Sequence, residues 1–181
     1  MKDGSDIKTG KIALTGLMSA AVFVSSMISI PVGSSRIHLG NSMILLAGFL
    51  LGGTPGGFAG GIGSLLYDAC IYGADPAGCL VTFFSKFAMG FTAGKICAAD
   101  DGKVSSKKLI ISGICGEAAY IVLYLGRKFV FYKFISGTSL KAALAATGAA
   151  FAASLFNAAA AVVISVILYR ALYPALKRIQ K

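Results

Sequence analysis

Two ionisable residues, Lys86 and Glu117, fall in the middle of long apolar runs, where a charge costs on the order of 2.5 to 3.5 kcal/mol at the centre of a membrane helix. Lys86 lies eight residues in from Gly78 and Glu117 nine back from Gly126, so at 1.5 Å per residue both sit about 12 to 14 Å deep. Two uses are open: a neutralised ion pair that fixes the register of neighbouring antiparallel helices, or a contact from one or both with a solute or partner. Asp68 stands about one turn inside the same end of its own run, within reach of Arg36 or His38 on the preceding loop. His38 is the single histidine and reads as a loop hydrogen-bonder rather than a metal ligand, because no second histidine or cysteine lies beside it. Aromatic residues gather at this end, among them Tyr72, Phe83, Phe84, Tyr120, Tyr124, Phe131 and Tyr132. Some belong to an interfacial belt. Others can wall a pocket in which Asn41, Asp68, Arg127 and Asn157 supply the few polar contacts that orient a small ligand.

The elements that must hold these residues are membrane helices. Of 181 residues, 56% are hydrophobic and 13% charged, against roughly a quarter charged in soluble domains, and the mean hydropathy is +0.80. Six apolar segments, at about 12–30, 42–52, 57–72, 78–97, 109–126 and 142–172, predict an all-α integral membrane protein of six transmembrane helices in a single domain. The second is too short to cross hydrocarbon upright and must start in the Gly40-Asn41 turn or be shielded by neighbours; the sixth is too long, and breaks near Gly148 or projects toward Pro174. Eleven of the 17 Lys and Arg residues fall on the side of the termini and five on the other, which puts both termini in the cytoplasm. The net charge of +10 then meets anionic lipid rather than nucleic acid. The four cysteines, without a C-x-x-C pair, read as buried small hydrophobes.

Small residues recur at four-residue spacing: Gly56/Gly60, Gly57/Gly61 and Gly60/Ser64 in the third segment, and Gly16/Ala20 in the first. Such stripes let helix backbones approach closely. The third-segment stripe reads as packing within the bundle, the first-segment stripe as a docking face for a partner helix. No Gly-Lys-Ser/Thr follows the glycine-rich Gly52–Gly56 turn, so no nucleotide motor is encoded. Neither a metal nor a cofactor is expected.

The run Ile37-His38-Leu39-Gly40-Asn41, continuing through Gly48, Pro55-Gly56-Gly57 and Gly60-Gly61-Ile62-Gly63-Ser64 to Asp68, with Phe83-Phe84-Ser85-Lys86 and Asn157, resembles the substrate-binding S components of energy-coupling-factor (ECF) vitamin transporters, the riboflavin-type group above all. The resemblance is dense from about residue 30 to 94. It implies a cell-membrane protein that binds a vitamin or its precursor from outside, docks on a transmembrane T component with two ATPases, and topples in the membrane to carry its pocket inward. The T-component contact of that family maps onto Ala13, Gly16 and Ala20. One departure is the Arg127-Lys128 pair, where the group's pattern has an acidic residue soon after the tyrosine matching Tyr124. A basic outer mouth suits a neutral or anionic solute better than a thiamin-like cation.

The leading expectation is therefore a binding subunit, not an enzyme, for a heteroaromatic vitamin such as riboflavin, a pyridoxine-type compound or a pyrimidine precursor. Its candidate contacts are Arg36, His38, Asn41, Asp68, Tyr72, Phe84, Lys86, Glu117, Tyr120, Tyr124, Arg127 and Asn157. A self-sufficient ion-coupled carrier that uses Lys86 and Glu117, or a small intramembrane enzyme, are the alternatives. An enzyme would need a nucleophile-base pair or clustered carboxylates, and the chain offers one histidine and scattered acids.

Overall fold

The computed structural model describes residues 4–32, 35–98 and 104–179, with side chains from 9–31, 37–98 and 104–174. Six α-helices and one two-stranded hairpin make up these residues: α1 (Gly4–Met27), β1 (Ser29–Val32), β2 (Ser35–His38), α2 (Gly40–Leu51), α3 (Gly53–Tyr67), α4 (Pro76–Cys97), α5 (Ser106–Val130) and α6 (Leu140–Ile179). Four of the helices are long and apolar enough to cross a membrane, over Thr9–Met27, Pro76–Cys97, Ser106–Ile135 and Leu140–Pro174. Large apolar side chains cover the outside, with Ile12 73%, Val122 70% and Phe134 72% exposed, while Asn41 and Glu117 are 0% and 2% exposed. Greasy outside and polar inside is the arrangement that a hydrocarbon solvent imposes.

The short α2 is shielded. Nine of its 12 residues are buried, and Ile44, Leu45 and Leu46 form the core with Val22 of α1, Met89 and Ala93 of α4, Leu109 of α5 and Val162 of α6. An element wrapped on all sides by other helices does not itself need to span the bilayer. It is separated from α3 by Gly52 alone, whose φ of 85° lies in the left-handed region that glycine enters without strain. The expected five-residue turn is thus one residue, and Pro55 sits in the first turn of α3, where a missing N–H costs nothing.

The glycine stripe on α3 is spent on packing inside the bundle. A Cβ on Gly56 would stand 2.5 Å from the Gly48 Cα of α2, and one on Gly60 would stand 2.6 Å from Ile44 Cγ2 and 2.9 Å from the Lys86 carbonyl of α4. On the other side of α4, a Cβ on Gly116 would stand 2.9 Å from the Met89 carbonyl. Lys86 is thereby carried on a helix pressed between α3 and α5.

The ends of α1, α5 and α6 differ from the apolar runs. α1 stops at Met27 because Ser29–Val32 turns into a strand, antiparallel to Ser35–His38 with Ser29 opposite His38 and Ile30 opposite Ile37; the apolar run extends over Ser29 and Ile30 alone. α3 continues as a π-helical turn, Asp68–Tyr72, ended by Gly73 in the left-handed region, and α5 as another, Phe131–Ile135. α6 is unbroken at Gly148 and runs for 40 residues with Pro174 inside its last turns. α4 starts where Asp75 accepts the Gly78 N–H at 2.7 Å, with Pro76 in its first turn, a capped start by both criteria. Of the cysteines, Cys79 and Cys97 are buried and Cys115 is intermediate, but Cys70 is exposed, because the π-helical turn carries it out of the core.

Candidate functional site

A cavity of about 530 Å³ opens at the hairpin end of the bundle. Each wall has its own chemistry. From α3 and its π turn come Ser64, Tyr67, Asp68 and Tyr72; from α4 and its N-cap come Asp75, Val81, Thr82, Ser85 and Lys86; from α5 and its π turn come Tyr120, Tyr124, Arg127, Lys128, Phe131 and Tyr132; Pro31 and His38 of the hairpin and Ser26 of α1 complete it. The α3/α4 side carries hydroxyls and two carboxylates, Asp68 and Asp75, together with Tyr67, Tyr72 and Lys86, and the α5 side carries aromatic rings and the cations Arg127 and Lys128. Both π-helical turns flank the cavity, where the wider turn places Tyr72 and Tyr132 on the lining, a use often made of such turns.

Beneath the cavity Lys86, 4% exposed, donates to Asn41 Oδ1 at 2.5 Å, and Asn41 Nδ2 donates to Glu117 Oε1 at 3.0 Å and Oε2 at 3.1 Å. Three helices, α4, α2 and α5, are thus joined by one buried polar chain in which the lysine charge and the carboxylate charge are bridged by an amide. The Lys86 ammonium also lies 3.6 Å from the centroid of the Tyr120 ring. Tyr120 stacks on Tyr124 at 5.4 Å, and Lys128 lies 5.2 Å from the Tyr124 ring. A cation at each end of two stacked rings is a favourable electrostatic column, and it makes one continuous wall from the floor of the cavity toward the hairpin end.

Of the expected contacts, His38, Asp68, Tyr72, Lys86, Tyr120, Tyr124 and Arg127 line this cavity together. Asn41, Glu117 and Asn157 stand behind it. Asn41 and Glu117 hold Lys86, and Asn157 of α6 accepts the His38 backbone N–H at 3.3 Å, tying the hairpin to the bundle. His38 Nδ1 accepts the Gly40 N–H at 3.2 Å, the loop role expected of it. Asp68 accepts from Thr82 Oγ1 at 2.6 Å. Arg36 faces Pro31 in the hairpin ladder, and its side chain lies outside the described residues. Phe84 is 63% exposed and is absent from the lining, packed edge-on against Phe83 on the outside of α4; a helix turns 100° per residue, so Phe84 and Lys86 cannot share a direction. Sequence reasoning missed Ser64, Thr82 and Ser85 as lining groups. The spacing Ser64/Asp68 and Thr82/Lys86, four apart on one helix face each, is the signal that could have found Ser64 and Thr82.

Ala13, Gly16 and Ala20 are exposed on α1. Gly16 and Ala20 line a second, apolar groove of about 720 Å³ between α1 and α3, with Phe58, Ile62 and Leu66, whereas Ala13 lies beside it. A Cβ on Gly16 would meet nothing within 4 Å. Among the described residues no cluster of three His, Cys, Asp or Glu groups is placed to hold a metal.

The fold and site are those of a helical bundle with four membrane-length apolar helices around a solute-sized cavity of mixed polar and apolar lining. Residues 6–174 match the profile of the ECF-type riboflavin transporter S component family, and the chain belongs to that family. An S component is the substrate-binding subunit of an ECF transporter, and the family is one of transporters rather than enzymes. The chain is also 30% identical over 115 residues to an uncharacterised protein of Pyrococcus woesei, covering 62% of this chain and 74% of that one. Its fold is similar to that in a structure described as the S component of a bacterial ECF transporter, with a TM-score of 0.66 at 19% identity, covering 94% of this chain and 99% of the other.

Proposed function

We propose that this S component captures a flavin-type heteroaromatic vitamin, riboflavin in the first place and a pyridoxine-type compound or pyrimidine precursor in the second, and delivers it inward with a T component and two ATPases. The observation that supports this most is the pair of unlike walls around one cavity: stacked tyrosines on α5, hydroxyls and carboxylates on α3 and α4. A flat ring system with a polar substituent is the ligand class that satisfies both at once, through offset or edge-on aromatic contact and hydrogen bonds. About 530 Å³ lies within the range of roughly 300 to 1,000 Å³ of small-molecule sites.

In this reading all six helices, α2 buried among the others, make one transmembrane unit in the cell membrane. Both termini lie in the cytoplasm, in keeping with eleven Lys and Arg residues on that side against five on the other. The cavity then faces outside under the hairpin. Substrate contacts are His38, Asp68, Tyr72, Lys86, Tyr120, Tyr124 and Arg127, and the α1 face at Ala13, Gly16 and Ala20 meets the T component. The mechanism is binding without covalent chemistry. Extraction in mild detergent followed by mass spectrometry of the retained small molecules tests the ligand class: a flavin is expected, and retention of an aliphatic amino acid or a metal chelate instead would contradict it.

A further inference from the structure

Six of the nine buried serines among the described residues close their hydroxyls on a carbonyl of the preceding turn: Ser19 on Thr15, Ser25 and Ser26 on Val22, Ser85 on Val81, Ser112 on Lys108 and Ser165 on Val162. That is the ordinary fate of a hydroxyl in a helix surrounded by apolar groups, because the backbone is the nearest acceptor. Ser64 departs from it. It is 5% exposed, lines the cavity, and its Oγ has no hydrogen-bond partner among the described residues. A buried hydroxyl left unpaired is unfavourable, so a position that keeps one points to a partner that arrives from elsewhere. One turn further along, Asp68 holds the Thr82 hydroxyl at 2.6 Å. Ser64, Asp68 and Thr82 together form a surface of donors and acceptors within the cavity.

We propose that Ser64 is a substrate-contacting residue that determines specificity: its hydroxyl bonds to the hydroxylated side chain of the ligand, and the Ser64–Asp68–Thr82 surface selects flavins bearing such a chain over the bare ring. The assignment rests on the flavin reading above. A polyol hydroxyl both donates and accepts, as this surface does, whereas the tricyclic ring is matched by the tyrosines of α5. A site built to hydrogen-bond a substrate hydroxyl discriminates against the analogue that lacks it, because the site's own groups are then left unpaired. The small-residue pair Gly60/Ser64 thus divides its work, Gly60 admitting the backbone of α4 and Ser64 bordering the cavity.

The test is calorimetric titration of the purified chain and its Ser64→Ala variant with riboflavin and with lumichrome, which keeps the ring and lacks the polyol chain, alongside melting curves without ligand. Ser64→Ala is expected to weaken riboflavin binding about tenfold and lumichrome binding by less than about twofold, with a melting temperature no lower than that of the parent, since the alanine removes an unpaired hydroxyl. Equal losses for both ligands, or a lowered melting temperature with them, would make Ser64 a packing residue. Unchanged riboflavin affinity would show that water serves the hydroxyl. Either result overturns the Ser64 assignment alone, whereas failure of the parent chain to bind riboflavin overturns the flavin reading and this assignment with it.

Discussion

Asn41 stands between Lys86 and Glu117, accepting from the ammonium at 2.5 Å and donating to both carboxylate oxygens at 3.0 and 3.1 Å. The amide satisfies two charges from one side chain and welds α2 to α4 and α5 at the floor of the cavity. Breaking such a buried chain by removing one charge leaves the other uncompensated, at a cost of about 3–5 kcal/mol, while removing both costs far less. Glu117→Leu and Lys86→Met are each expected to lower the melting temperature in detergent sharply, and the double variant to regain most of the loss. Additive losses in that cycle would show the two charges to act separately.

Gly60 tests the packing that positions Lys86. A methyl there meets Ile44 Cγ2 at 2.6 Å and the Lys86 carbonyl at 2.9 Å, so Gly60→Ala forces α3 away from α2 and α4 at about 1–3 kcal/mol. Melting temperature and riboflavin affinity are expected to fall together. A variant as stable as the parent would contradict the close approach.

Gly16 gives the opposite expectation, because a Cβ there meets nothing within 4 Å. Gly16→Leu and Ala20→Leu fill the groove beside Phe58 and Ile62 without touching the core. Both are expected to melt and bind ligand like the parent yet to lose co-purification with the T component. Undiminished co-purification would remove the docking assignment of α1.

Asn157 holds the hairpin through the His38 N–H at 3.3 Å. Asn157→Ala removes one hydrogen bond, worth about 1 kcal/mol, from the segment that borders the cavity. Stopped-flow dissociation of riboflavin is expected to be about fivefold faster, with the melting temperature little changed. An unaltered dissociation rate would mean that the hairpin does not retain the ligand.

Helical rise alone brought Lys86 and Glu117 to one depth, since distance along a helix is linear in residue number. That Asn41 comes between them depends on which helices are neighbours, and nothing in the order of the chain states that α2 is wedged against α4 and α5. The aromatic cluster of Tyr120 and Tyr124 was legible because four-residue spacing puts both on one face. Phe84 was counted with them by proximity in sequence, although its direction on α4 differs from that of Lys86. The hairpin is hidden in the sequence because Ser29 and Ile30 close an apolar helix run and Pro31 suits a loop as well as an edge strand. Spacing alone makes Ser64 a spacer in a glycine stripe, because its unpaired hydroxyl is a matter of side-chain surroundings that spacing does not encode.

The most direct test of the central claim is equilibrium titration of the purified chain with riboflavin in the absence of any other subunit. The account predicts saturable binding of one flavin per chain with sub-micromolar affinity, competed by unlabelled flavin and lost in Tyr120→Ala. Absence of saturable binding by a correctly folded chain, or full affinity retained without the Tyr120 ring, would contradict it.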